Sequence, residues 1–136
     1  MDFKWDPGLS IGIGEVDIQH REIINRINYI VDSAGKGKSP EKTAETIEFL
    51  ESYAEKHFET EEKIMTVAGY PGTEEHKKLH ASFIKRIEAI AAAINKGELK
   101  GKELYEIGEE IYAWFERHIT TADREMGEFI KARMHR

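Results

Sequence analysis

The chain has 136 residues, no cysteine, and 26 acidic against 20 basic side chains, for a formal net charge of −6. That length fits one domain with a real core but not two, and the acidic balance argues against nucleic acid or an anionic membrane as partner. No apolar run reaches about 18 residues, nothing reads as a signal peptide, and no disulfide is possible, so the expectation is a cytoplasmic chain without membrane contact.

Residues 1–16 carry Pro7, Gly8, Gly12 and Gly14 and read as an irregular arm whose Trp5, Leu9, Ile11 and Ile13 pack onto the rest. Helical periodicity takes over after it and runs through residues 17–136. Asp17 is placed to cap the first helix, whose apolar stripe is Ile23, Ile24, Ile27, Ile30 and Val31. Gly35-Lys36-Gly37-Lys38 ends it, and Ser39-Pro40 opens the second, with serine as cap and proline in the first turn. The second stripe runs Ile47, Leu50, Ala54, Ile64, Met65 and Ala68, and stops at Gly69-Tyr70-Pro71-Gly72. Thr73 with Glu74 and Glu75 opens a third helix carrying Phe83, Ile84, Ile87, Ile90 and Ile94, which ends at Gly97. The fourth starts near Gly101-Lys102 and carries Leu104, Ile107, Ile111, Trp114 and Phe115. Four amphipathic helices with short loops predict an all-α, antiparallel up-down-up-down four-helix bundle.

Five of the six histidines lie on these apolar stripes. His20 is in phase with Ile24, Ile27 and Val31; His57 precedes Glu61 by four, His76 precedes His80 by four, and His118 precedes Asp123 by five. Residues four apart on a helix point the same way one turn apart, so each such pair aims two donors at one interior point. A single histidine on an apolar face is ordinarily satisfied by a backbone carbonyl. Five imidazoles and two carboxylates buried without partners would cost several kcal/mol per group, and a metal is the simplest way to satisfy them together. Imidazole plus carboxylate without thiolate suits iron, zinc, copper or manganese, and seven ligands are too many for one ion. His135, in the tail and off any stripe, reads as solvated surface.

The spacing of His118 and Asp123 is the exception. Five residues apart on a regular α-helix stand about 140° apart, so they do not face the same way. The apolar phase slips at the same place, from Ile111 and Trp114 before to Met126 and Ile130 after. A π-bulge or break between the two residues would restore the aim.

The set His20, His57-x3-Glu61, His76-x3-His80 and His118-x4-Asp123 resembles the hemerythrin family, in particular the bacterial hemerythrins. The stretch Trp5-Asp6-Pro7 through Gly14-Glu15-Val16-Asp17-Ile18-Gln19-His20 is similar to their arm and first-ligand motif. The resemblance covers nearly the whole chain. It implies a non-haem di-iron centre that binds dioxygen reversibly, with His76, His80 and His118 on one iron, His20 and His57 on the other, and Glu61 and Asp123 bridging both beside an oxygen-based bridge. Counted that way, one of twelve octahedral positions stays open, on the iron with two histidines. The resemblance implies that dioxygen enters there and that both irons then pass from ferrous to ferric. Trp114 and Phe115 share the face of His118 one turn before it, and Ile119 follows directly. They are expected either to wall the open position against water and protons or to serve as ordinary core.

The resemblance equally implies an alternative role as an oxygen- or redox-sensing domain of a signalling protein. A ferritin-like di-iron oxidase fits less well, because such sites use paired Glu-x-x-His motifs, and Ala54, Thr73, Lys77 and Phe115 stand three before the clustered histidines. A zinc protease lacks its glutamate, since His76-Lys77-Lys78-Leu79-His80 is not His-Glu-x-x-His.

Overall fold

The computed structural model describes residues 3–35, 40–99 and 102–134. A short 3-10 turn at Pro7–Leu9 precedes α1 (Gly14–Gly35), α2 (Pro40–Ala68), α3 (Thr73–Asn95) and α4 (Lys102–His118). A π turn at Ile119–Asp123 then leads into α5 (Arg124–Met134). Among the described residues there is no strand, and no helix is long and apolar enough to cross a membrane. Helix α1 lies against α2 and α4, α2 against α3, and α5 returns to α2. The result is the antiparallel four-helix bundle that the periodicity predicts. Its stripes close on one another as read, with Ile23, Ile27, Ile30, Ile47, Leu50, Ile87, Ile94 and Ile111 all buried. Gly69 and Gly97 end α2 and α3 at φ of 69° and 73°, the left-handed conformation that side chains disfavour. The expected cap Ser39 and the tail residue His135 lie outside the described residues.

The first helix departs from expectation. It begins at Gly14, three residues before Asp17, whose own N–H already bonds to the Ile13 carbonyl at 2.9 Å. The Asp17 carboxylate instead accepts from the Ser10 hydroxyl at 2.6 Å and the Ile11 N–H at 2.9 Å. It is therefore a tether for the arm rather than a helix cap. The arm is fixed elsewhere too. Asn28 accepts from the Phe3 N–H at 2.7 Å and donates to the Phe3 carbonyl at 2.6 Å, while the Phe3 ring stacks on Tyr112 at 4.2 Å. Arg124 donates to the Gly8 carbonyl, and Leu9 and Ile11 are buried in the core.

Candidate metal centre

Each helix delivers its donors for the same local reason: they occupy stripe positions and so must face the interior. His20 comes from α1, His57 and Glu61 from α2, His76 and His80 from α3, and His118 from the last turn of α4. Asp123 closes the π turn, and all seven side chains are buried. The slip in helical phase has the cause that the spacing suggests. The Arg124 N–H reaches back five residues to the Ile119 carbonyl, which widens one turn and brings Asp123 onto the face of His118. Thr120 and Thr121 donate their hydroxyls to the Glu116 and Arg117 carbonyls at 2.9 and 2.7 Å, so carbonyls of the loosened turn keep partners.

The donors fall into two groups that share both carboxylates. Oε1 of Glu61 lies 3.0 Å from His80 Nε2 and 3.3 Å from His76 Nε2, while Oδ1 of Asp123 lies 2.8 Å from His76 Nε2 and 3.1 Å from His118 Nε2. The remaining oxygens face the other way. Oε2 of Glu61 is 2.9 Å from His57 Nε2 and 3.2 Å from His20 Nε2, and Oδ2 of Asp123 is 2.9 Å from His20 Nε2. Five residues thus form one cluster and four the other, with Glu61 and Asp123 common to both.

His20 Nε2 and Glu61 Oε2 form a buried hydrogen bond at 3.2 Å, but most of the other close approaches do not have hydrogen-bond geometry. His57 Nε2, His76 Nε2, Glu61 Oε1 and both Asp123 oxygens are buried without a well-angled hydrogen-bond partner. His80 and His118 present their Nε2 atoms to each other at 3.2 Å. Donor atoms gathered into two such groups, most of them buried without a hydrogen-bond partner, suit a pair of cations. Hard carboxylates with borderline imidazoles, and no thiolate, fit iron. The charges agree. Burial opposes charge on His20 and His76, yet the Asp123 and Glu61 carboxylates outweigh it and lift both imidazoles to about 9. Burial likewise works against Glu61 and Asp123. The imidazoles, His57 foremost for Glu61 and His118 for Asp123, nevertheless hold both carboxyls below the usual range, against the repulsion of Glu61 on Asp123.

Aromatic rings enclose the cluster. Phe115 makes T-shaped contacts with His20 at 5.5 Å and His57 at 6.3 Å, on the two-histidine side. Trp114, only half-buried, stacks on His118 at 4.8 Å and 12° and so lies on the three-histidine side. Ile119 is fully buried in the π turn. Phe58, which sequence reasoning passed over, stacks on His80 at 3.9 Å and 8°. Gln19 and Glu62 were passed over as well. Gln19 Oε1 lies 2.7 Å from His57 Nδ1, and Glu62 Oε2 lies 2.9 Å from His80 Nδ1. Their signal in the sequence is slight, namely a polar residue next in the chain to a donor.

Similarity to known proteins points the same way. Residues 11–130 match the family described as the hemerythrin HHE cation-binding domain. A bacteriohemerythrin of Pseudomonas aeruginosa is 37% identical over 119 residues, covering 88% of this chain and 75% of that protein. One from Clostridium acetobutylicum is 31% identical over 129 residues, covering 90% and 97%. The crystal structure of a wild-type hemerythrin superposes with a TM-score of 0.85, covering 94% of this chain and 97% of the other at 22% identity, which establishes the common fold. This chain belongs to the hemerythrin family.

Proposed function

We propose that the chain, a single cytoplasmic domain of residues 1–136, binds dioxygen reversibly at a pair of iron ions. The observation that carries this reading is the division of each buried carboxylate, one oxygen toward His76, His80 and His118 and the other toward the His20–His57 side. On this reading the first three imidazoles hold one iron, His20 and His57 hold the other, and Glu61 and Asp123 span both. The bound iron pair supplies the electrons that dioxygen takes up and gives back. The protein supplies place and surroundings. Five residues surround one position and four the other, so room for an external ligand lies on the side of His20 and His57. Phe115 faces both of those imidazoles and keeps water from them. Two carboxylates among seven ligands bring little negative charge to stabilise highly oxidised metal, which favours binding over oxidation, and we read the chain as a binding protein rather than an enzyme.

A spectroscopic cycle tests this. Iron-loaded protein is reduced under argon, exposed to air and returned to argon. An oxygen-dependent charge-transfer band that grows in air and fades under argon supports the reading. Irreversible oxidation with turnover of a substrate would identify an oxidase instead, and preferential zinc loading with no band would refute the iron assignment.

A further inference from the structure

Two polar side chains outside the seven donors grip the imidazoles from behind. Gln19 on α1 crosses to His57 on α2, and Glu62 on α2 crosses to His80 on α3. Each adjoins a donor in sequence, Gln19 before His20 and Glu62 after Glu61. A helical neighbour is turned by about 100°, so it points past its own donor toward the adjacent helix. The arrangement is selective, because His20 Nδ1 is buried with no hydrogen-bond partner at all. It is also unequal. The imidazole gripped on the two-histidine side meets a neutral amide, whereas the one gripped on the three-histidine side meets a carboxylate whose side chain remains 31% exposed.

We propose that Gln19 and Glu62 are positioning residues of the metal centre, holding His57 and His80, and that their unlike charge makes the three-histidine half the stronger electron donor. The proposal rests on the ligand assignment under Proposed function. An acceptor at Nδ1 claims the ring proton for that nitrogen, which leaves the Nε2 lone pair directed inward. It also stops the ring from rotating about its side-chain bonds. A carboxylate acceptor does more than an amide, since it draws the Nδ1–H proton toward itself and pushes electron density onto Nε2. Ferric iron gains more from that density than ferrous iron does. The half containing His80 should therefore have the lower reduction potential.

The test uses the full chain, with iron(II) and cobalt(II) affinities measured by chelator competition, helical content checked for each variant, and potentials determined on the iron-loaded protein. Glu62→Ala should weaken one of the two metal affinities by about 10–100-fold, and Gln19→Ala the other by a similar factor. The double variant should weaken both metals rather than one metal twice. Glu62→Gln keeps an acceptor oxygen for His80, so it should restore affinity to within a few-fold of the parent while the potential of one iron rises. Parent-like affinities for both metals in a folded Glu62→Ala chain would overturn the positioning role. An unchanged potential in Glu62→Gln would overturn the electronic inequality. A parent chain that fails to take up two metals would instead overturn the ligand assignment beneath the proposal.

Discussion

Loading the centre with metal must expel protons, and the structure says which ones. In the metal-free chain the Asp123 and Glu61 carboxylates lift His20 and His76 to about 9, so both imidazoles carry a proton at pH 7. Both Nε2 atoms are needed as lone-pair donors, and a metal cannot bind until its proton leaves. Uptake of two metals at pH 7 should therefore release at least about two protons per chain from these imidazoles. That number should fall by about half near pH 9, where half are already gone. Because the two histidines sit on opposite halves, each metal's apparent affinity should rise about tenfold per pH unit below pH 8. Calorimetric titration with cobalt(II) in buffers of different ionisation enthalpy counts the protons directly. Release of fewer than one proton at pH 7, or an affinity independent of pH between 6 and 8, would refute the charge balance argued from the carboxylates. The metal-free fold should feel the same groups. Their stabilisation is complete below the ordinary histidine value of 6.5 and is lost as pH rises through about 9. Glu61 and Asp123, held low, act in the opposite sense, with stabilisation present above their ordinary values of 4.5 and 3.8 and lost in acid. The metal-free chain should accordingly melt highest between about pH 4.5 and 6.5, and added metal should flatten that dependence.

Other perturbations separate roles within the molecule. Replacing Glu61 or Asp123 by alanine should remove both metals, whereas replacing one histidine should weaken mainly one; metal analysis showing two metals in the Glu61→Ala chain would remove the bridging assignment. Ile119→Glu places a carboxyl in a fully buried position of the π turn, and it should speed autoxidation of the air-exposed iron protein with helical content retained. An unchanged rate at matched iron content would make Ile119 packing alone. Asn28→Ala removes both hydrogen bonds that hold the Phe3 backbone and should cost about 1–2 kcal/mol in denaturant unfolding, with metal stoichiometry unchanged.

The site was legible in the sequence because its donors share stripes with the core. A histidine in register with Ile24 and Ile27, or between Ala54 and Met65, has nowhere to point but inward. The five-residue gap at Asp123 was legible for the opposite reason, since it breaks a periodicity that is otherwise regular enough to make the break visible. What stayed hidden depends on contacts between helices. Gln19 and Glu62 look like members of a solvated face, and only the crossing of α1 over α2 and α2 over α3 turns them toward imidazoles. Asp17 misled because an acid near a helix start is usually a cap, and its partners Ser10 and Ile11 lie in an arm with no period to read. Spacing placed Trp114 and Phe115 together, yet neighbours in sequence diverge around the helix axis, one ring toward His118 and the other toward His20 and His57.

The π turn has a genetic consequence. It holds one residue more than the α-helical turn it replaces while keeping the rotation between its ends, so His118 and Asp123 face together as an i, i+4 pair would. Seen from the gene, the wide turn differs from an ordinary helix by a single in-frame codon between 118 and 123. One triplet can be lost there without turning α5 away from α2. Elsewhere in the helices the same loss would rotate everything downstream by about 100° and bury the wrong face. Residues 119–122 are thus a place where this bundle can lose a residue, the wide turn closing to an α-helical one, and keep its reading of inside and outside.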